Sequence, residues 1–122
     1  MGNIRLVRVY DAPPQPDKNS FLTDRLWPRG ISKERLKGVV WLKEVAPSTE
    51  LRQRFHADPS QWDAFCRDYI EELNGQRGWE PLLTLLKQGE TVTLMFGSRD
   101  VEHNQGVVLR GFLLSKLKSV NA

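Results

Sequence analysis

Cysteine is nearly missing from this chain. Cys66 stands alone among 122 residues, so no disulfide can close within the chain, and a reducing compartment is the natural expectation. Histidine is almost as scarce. His56 and His103 are the two present, and with one distant cysteine they offer no zinc-binding spacing. No apolar run approaches the roughly 20 residues of a membrane span, and residues 1–5 lack the apolar stretch of a signal peptide. The expected location is the cytoplasm, with no membrane partner. There is no G-x-G-x-x-G, no Walker lysine and no G-x-S-x-G, so no cofactor is called for. Cys66 falls mid-helix on an apolar face, whereas a reactive thiol needs exposure and positive surroundings; this weighs against sulfurtransferase and cysteine-phosphatase chemistry. Without repeats, low-complexity runs or linkers, residues 1–122 read as one domain with one core.

What is present is ordinary in bulk: 27% charged and 39% hydrophobic residues, with a net charge of +3. The resulting pI of about 9.2 suits an anionic ligand and is too mild to demand nucleic acid.

Local patterning predicts alternating strands and helices. Residues 4–10 (IRLVRVY) and 20–26 read as strands, separated by a loop holding Pro13, Pro14 and Pro16. Residues 32–37 predict a short helix capped by Ser32 and stopped by Gly38. Residues 39–42 form a continuous apolar run, as a buried strand would. Ser48 is a good N-cap, followed by Glu50 in a first turn and by Leu51 and Phe55 four apart. Asp58 and Pro59 restart the chain. Trp62, Phe65, Cys66, Tyr69, Ile70 and Leu73 then keep the three-four spacing of one helical face up to Gly75. Residues 79–87 form another amphipathic helix and 91–96 a β-rich strand. Residues 101–118 predict a long helix containing Gly106 and Gly111, both read as points of close packing on the sheet. The expected class is α/β: a three-layer domain with a small, mostly parallel four-stranded sheet flanked by helices. The link between the first two strands is short for a crossover, so an antiparallel pair is possible there.

The stretch around which the rest is arranged is DRLWPRG, residues 24–30. Guanidinium and carboxylate are costly to bury unpaired. Pro28 restricts both itself and Trp27, and Gly30 permits backbone that other residues resist. This predicts a rigid, irregular loop, either presenting Arg25 and Arg29 to a ligand or pinned by them to nearby carboxylates.

Ligands of open α/β sheets bind beyond the carboxyl ends of parallel strands. Asp24, Arg25 and Arg29 follow the second strand, Lys43 the third, and Ser98, Arg99 and Asp100 the fourth, with His103 and Asn104 in the first turn of the last helix. On one rim, Arg25, Arg29, Lys43 and Arg99 would make an anion site, joined by the free N–H groups of that helix. Asp24, Asp100 and His103 would supply acid–base capacity, and Trp27 a pocket wall. Each has a plainer alternative: Asp100 as an N-cap, His103 satisfying the loop backbone, Lys43 in a surface pair with Glu44, His56 as a helix-end residue.

DRLWPRGISKE (24–34), WLKEVAPSTELR (41–52), F-H-x-D-P-x-x-W ending at Trp62, and SRDVEHN (98–104) together resemble the YeaO-like family of bacterial domains of unknown function (DUF family 488). The resemblance is collinear over nearly the whole chain. It implies a small cytoplasmic α/β domain with no established activity, and it supports Asp24, Arg25, Arg29, Lys43, Ser48, Asp100, His103 and Asn104 as site residues. Two departures touch the expected rim. The family's Y-A-A-K/R-D is here Phe96-Gly97-Ser98-Arg99-Asp100, and its H-N-N-A is His103-Asn104-Gln105-Gly106.

The functional expectation is therefore a small anionic ligand, a phosphate or carboxylate, with or without catalysis. The alternatives are a nucleic-acid-binding module using Lys33, Arg35, Lys37, Arg52, Arg54, Lys116 and Lys118, or a protein-interaction domain. Arg25 or Arg29 is expected to be held by Asp24 or Asp100 through bidentate pairing.

Overall fold

The computed structural model describes residues 2–12 and 16–121. Pro13 and Pro14, part of the expected first loop, lie outside them. Four strands form one sheet: β1 (Ile4–Arg8), β2 (Ser20–Leu22), β3 (Val40–Trp41) and β4 (Val92–Phe96). Their order is β1-β4-β2-β3, and every pairing is parallel. The α/β class is as the alternating pattern implied. The antiparallel option for the first two strands fails because they are not neighbours. β4 lies between them, pairing Leu6 with Leu94 on one side and Phe21 with Leu94 on the other.

Alternate strand residues feed two clusters, as the two-residue period requires. Ile4, Phe21, Val92 and Leu94 face helices α2 (Trp62–Asn74), α3 (Glu80–Lys87) and α4 (Gln105–Asn121), meeting Phe65, Tyr69, Leu73, Leu82, Leu86, Leu109 and Leu113. On α2, Phe65, Tyr69 and Leu73 recur every fourth residue and are buried. Each contributes about 1.5–3 kcal/mol by leaving water. Ile70, expected on the same face, points outward. The opposite sheet face carries Val9, Leu22 and Met95 against Leu36, with Trp27, Ile31 and Trp41 packed around them.

That second face is covered by irregular chain where a helix was expected. Residues 33–38 are consecutive turns, with Arg35, Leu36 and Lys37 N–H groups each bonded three residues back. Ser32 Oγ caps Arg35 N–H at 3.1 Å, and Gly38 stops the run at a φ of +90°. Six residues give too few intrahelical bonds to offset helix nucleation. β3 is also shorter than expected, and Val40 is 49% exposed, because β3 is an edge strand with β2 on one side only.

Two strands hand over early to site-forming chain. β1 gives way at Val9 to a 3-10 turn, Val9–Asp11. β2 stops at Leu22, although Thr23 still bonds Met95 O through its N–H (3.0 Å) and hydroxyl (2.9 Å). α1 (Thr49–Ala57) begins at the predicted cap, Ser48, whose Oγ accepts from Leu51 N–H. α4 starts four residues later than expected, at Gln105. Gly106 does pack closely: a Cβ there would meet Phe96 and Leu6 side chains at 3.4 and 3.5 Å. Gly111 faces open space, so its close-packing role is not found.

Candidate functional site

A cleft of about 430 Å³ opens beyond the carboxyl ends of β2 and β4. Its walls come from the 24–29 loop, Tyr10, Pro47, Arg52, Phe55 and His56 on α1 and its approach, Phe65 on α2, Gly97–Ser98, and residues 103–105.

The 24–30 loop is ordered by its indoles and glycine. Trp41 Nε1 donates to Asp24 O at 2.7 Å, and Trp27 Nε1 donates to Ile31 O at 2.6 Å. The two indoles meet edge to face, 5.2 Å apart. Ile31 N–H closes a turn onto Pro28 O, in which Gly30 takes a φ of +78°, a conformation suited to glycine. Tyr10 Oη ties Arg29 O to the end of β1 at 2.8 Å.

Asp24 turns inward. Gly97 N–H donates to its Oδ2 at 2.8 Å, and Gln105 Nε2 donates to its Oδ1. Burial pushes its pKa from 3.8 up to about 6, against the opposing pulls of Gly97, Gln105 and the Arg52 charge. Desolvation of the ionised form therefore outweighs two hydrogen bonds and a cation. A Cβ at position 97 would lie 2.7 Å from Asp24 Oδ2, so the carboxylate occupies space that only glycine leaves.

Arg25 is not paired with a carboxylate. Its Nε donates to Pro47 O (2.8 Å) and its Nη2 to Ala46 O (3.3 Å). Arg29 is exposed on the lip. Asp100 bonds Glu102 and His103 N–H groups at 2.9 and 3.0 Å, with His103 Nδ1 3.1 Å away. The expected arginine–aspartate clamp is thus absent. Asp24 is taken by a backbone amide and a glutamine, Arg25 by two carbonyls, and Asp100 by its own turn. The Glu102 amide leads in holding the Asp100 carboxyl below its usual pKa, with both His103 contacts adding to it.

His103 borders the cleft, its ring edge to face with Trp62 at 4.9 Å. Asn104, also at the cleft, is 2% exposed. Its Oδ1 caps Val107 N–H, and its Nδ2 donates to Asp100 O. Asn104, rather than Asp100, therefore opens α4, and His103 precedes the helix. Ser98 and Trp27 also line the cleft.

Lys43, Ser48, Arg99 and Asp100 do not line it. Lys43 sits over the Trp41 ring, its Nζ 4.1 Å from the centroid. Ser48 is consumed structurally: its N–H and Oγ both donate to the Glu72 carboxylate, at 2.8 and 2.6 Å. One turn earlier on α2, Tyr69 Oη donates to Val45 O at 2.5 Å. Tyr69 and Glu72 thereby fix the 45–48 segment whose carbonyls hold Arg25. Arg99 is exposed.

The match to a family model described as the inactive DUF488-N3 subclade runs over residues 3–122. The chain belongs to the YeaO-like family of unknown function. It is 37% identical over 113 residues to the uncharacterised protein YeaO of Escherichia coli (strain K12), covering 93% of this chain and 98% of that relative. It is 36% identical over 110 residues to the uncharacterised protein Rv3073c of Mycobacterium tuberculosis, covering 90% and 92% respectively. No solved structure matches.

Among the described residues, Gly97 and Gln105 are the two that hydrogen-bond the Asp24 carboxylate.

From sequence, Arg52 is placed only on the basic surface of the nucleic-acid alternative, His56 reads as a helix-end residue and Phe55 as core. All three line the cleft. The signal was present: Arg52, Phe55 and His56 are spaced i, i+3, i+4 on one helix and share a side. Both histidines of the chain thus border the same cleft. Arg52 Nε and Thr93 Oγ1 are buried without a hydrogen-bond partner among the described residues. No helix is long and apolar enough to cross a membrane among those residues, and no group of three or more His, Cys, Asp or Glu there is placed to hold a metal. Burial and the Asp63 charge push the Cys66 thiol pKa up, away from nucleophilic use.

Proposed function

We propose that this protein binds a small organic anion in the cleft beyond β2 and β4, with Arg52 as the principal cation. The observation that carries this reading is the unpartnered Arg52 Nε in the wall of an open cleft. A buried guanidinium N–H without an acceptor is costly. An oxyanion in the cleft meets that guanidinium through charge-assisted hydrogen bonds. Arg29 on the lip and the two histidines add donors around the opening.

Binding without turnover is favoured over catalysis, because the family description names an inactive subclade. Asp24 then modulates the pocket charge, and His103 is a contact residue.

Thermal denaturation at constant ionic strength, with and without phosphate, acetate and larger organic anions, tests this reading. Wild type is expected to gain Tm with at least one anion, and Arg52→Gln to lose that gain. A chloride-like response to every anion, or an undiminished response in the variant, would refute Arg52 as the cation.

A further inference from the structure

The cleft is too large and too apolar for a bare oxyanion. Water takes about 30 Å³ per molecule in the liquid, so about 430 Å³ holds roughly fourteen waters. One phosphate or acetate would leave most of that space as water against apolar walls. Those walls have a definite character. Phe55 and Phe65 both line the cleft, their ring centroids 4.7 Å apart. Trp62 stands 5.6 Å from each and carries the His103 ring on its other contact, which extends the aromatic surface to the cleft edge. Trp27 and Leu26 also line it. Leu26 is 59% exposed, an apolar side chain held at the opening of a pocket.

Resting on the anion-binding reading, we infer that the ligand is an aromatic anion: a carboxylate or phosphate monoester on a flat ring. The anionic end meets Arg52, and the ring lies along the Phe55–Phe65 side and covers Leu26. Flat rings pair well with offset or edge-on aromatic neighbours, and pockets of 300–1,000 Å³ lined by apolar and aromatic groups with a few charges are the usual form of organic ligand sites. The indole N–H groups of Trp27 and Trp41 are already bonded to backbone carbonyls, so Trp27 offers the pocket its apolar surface.

Isothermal titration calorimetry of the full chain with four probes tests this: phenyl phosphate, benzoate, inorganic phosphate and acetate, with benzyl alcohol as the uncharged control. Each aryl anion is expected to bind at least tenfold more tightly than its simple counterpart, and benzyl alcohol to bind far more weakly than benzoate. Leu26→Ser, at an exposed position, should weaken the aryl anions severalfold and leave inorganic phosphate unchanged. Arg52→Gln should weaken both classes. Equal dissociation constants for phenyl phosphate and inorganic phosphate would overturn the aromatic requirement and leave the anion reading standing. Benzyl alcohol binding as tightly as benzoate would overturn the anionic requirement. Absence of binding by all four anions would overturn the parent reading as well.

Discussion

Replacing Asp24 by asparagine should stabilise the protein at neutral pH, and the gain should vanish in acid. Asp24 is raised from 3.8 to about 6 by burial, which corresponds to about 3 kcal/mol against the ionised form. In the unfolded chain the carboxyl releases its proton near the ordinary value; in the fold it keeps it until about pH 6. Between those values the folded state holds more protons, so stability falls as pH rises. Above about pH 6 both states are ionised and the full cost remains. Below the unfolded value both are neutral and the cost disappears. Asparagine keeps the shape and can still accept from Gly97 N–H, while the Gln105 amide can rotate to present its oxygen. Imperfect repacking of those bonds offsets part of the gain, since each is worth about 1 kcal/mol. Asp24→Asn should therefore be more stable by about 1–2 kcal/mol at pH 7.5, several degrees in Tm, and close to wild type at pH 3.5–4. Chemical denaturation at five pH values reads this as the difference between the two proteins, which cancels the titration of groups common to both. A pH-independent loss of stability in the variant would mean that the carboxylate is an anchor of the rim, and the burial argument would fail.

Arg25→Lys should cost about 1–3 kcal/mol, because a lysine cannot reproduce two directed bonds to the Ala46 and Pro47 carbonyls with its single rotating ammonium; denaturant midpoints would show it, and an unchanged midpoint would mean that these contacts do not hold the loop. Gly97→Ala should cost about 1–3 kcal/mol in wild type, since its Cβ would lie 2.7 Å from Asp24 Oδ2, but far less in an Asp24→Ala background. Equal costs in both backgrounds would trace the glycine requirement to something other than Asp24.

The elements with strong period or clear punctuation were readable in advance. α2 was visible because Phe65, Tyr69 and Leu73 repeat every fourth residue over about two turns, and α1 because Ser48 precedes it. Shorter elements failed where tertiary context decides. Nothing in VVWL says whether β3 is central or at an edge, and that depends on β4 entering between β1 and β2. The start of α4 was misplaced because Asp100 and Asn104 are both capping residues. Asp100 closes a turn onto Glu102 and His103, leaving Asn104 as the cap. In the cleft, Asp24, Trp27 and Arg29 were accessible from the loop composition. Arg52 was missed because an arginine one turn into an amphipathic helix looks like solvated surface until the opposing loop is placed over it.

The arginine–carboxylate clamp is the more instructive failure. The sequence offered two arginines and two aspartates in neighbouring loops, and mutual pairing was the economical solution. The fold instead secures each loop with neutral partners: indole N–H groups on Asp24 O and Ile31 O, the Tyr10 hydroxyl on Arg29 O, and the carbonyls of 46 and 47 on Arg25. Those carbonyls are fixed in turn by the Tyr69 and Glu72 bonds to the adjoining segment. A loop held this way needs no charge from Asp24 or Arg52. The two groups are left facing one cleft, one with its pKa raised by burial, the other with a donor lacking an acceptor. Stability alone would favour replacing both with neutral side chains. On the anion-binding reading proposed above, it is the Arg52 guanidinium that gains a counter-charge when the ligand arrives, whereas the Asp24 carboxylate already holds both of its hydrogen bonds.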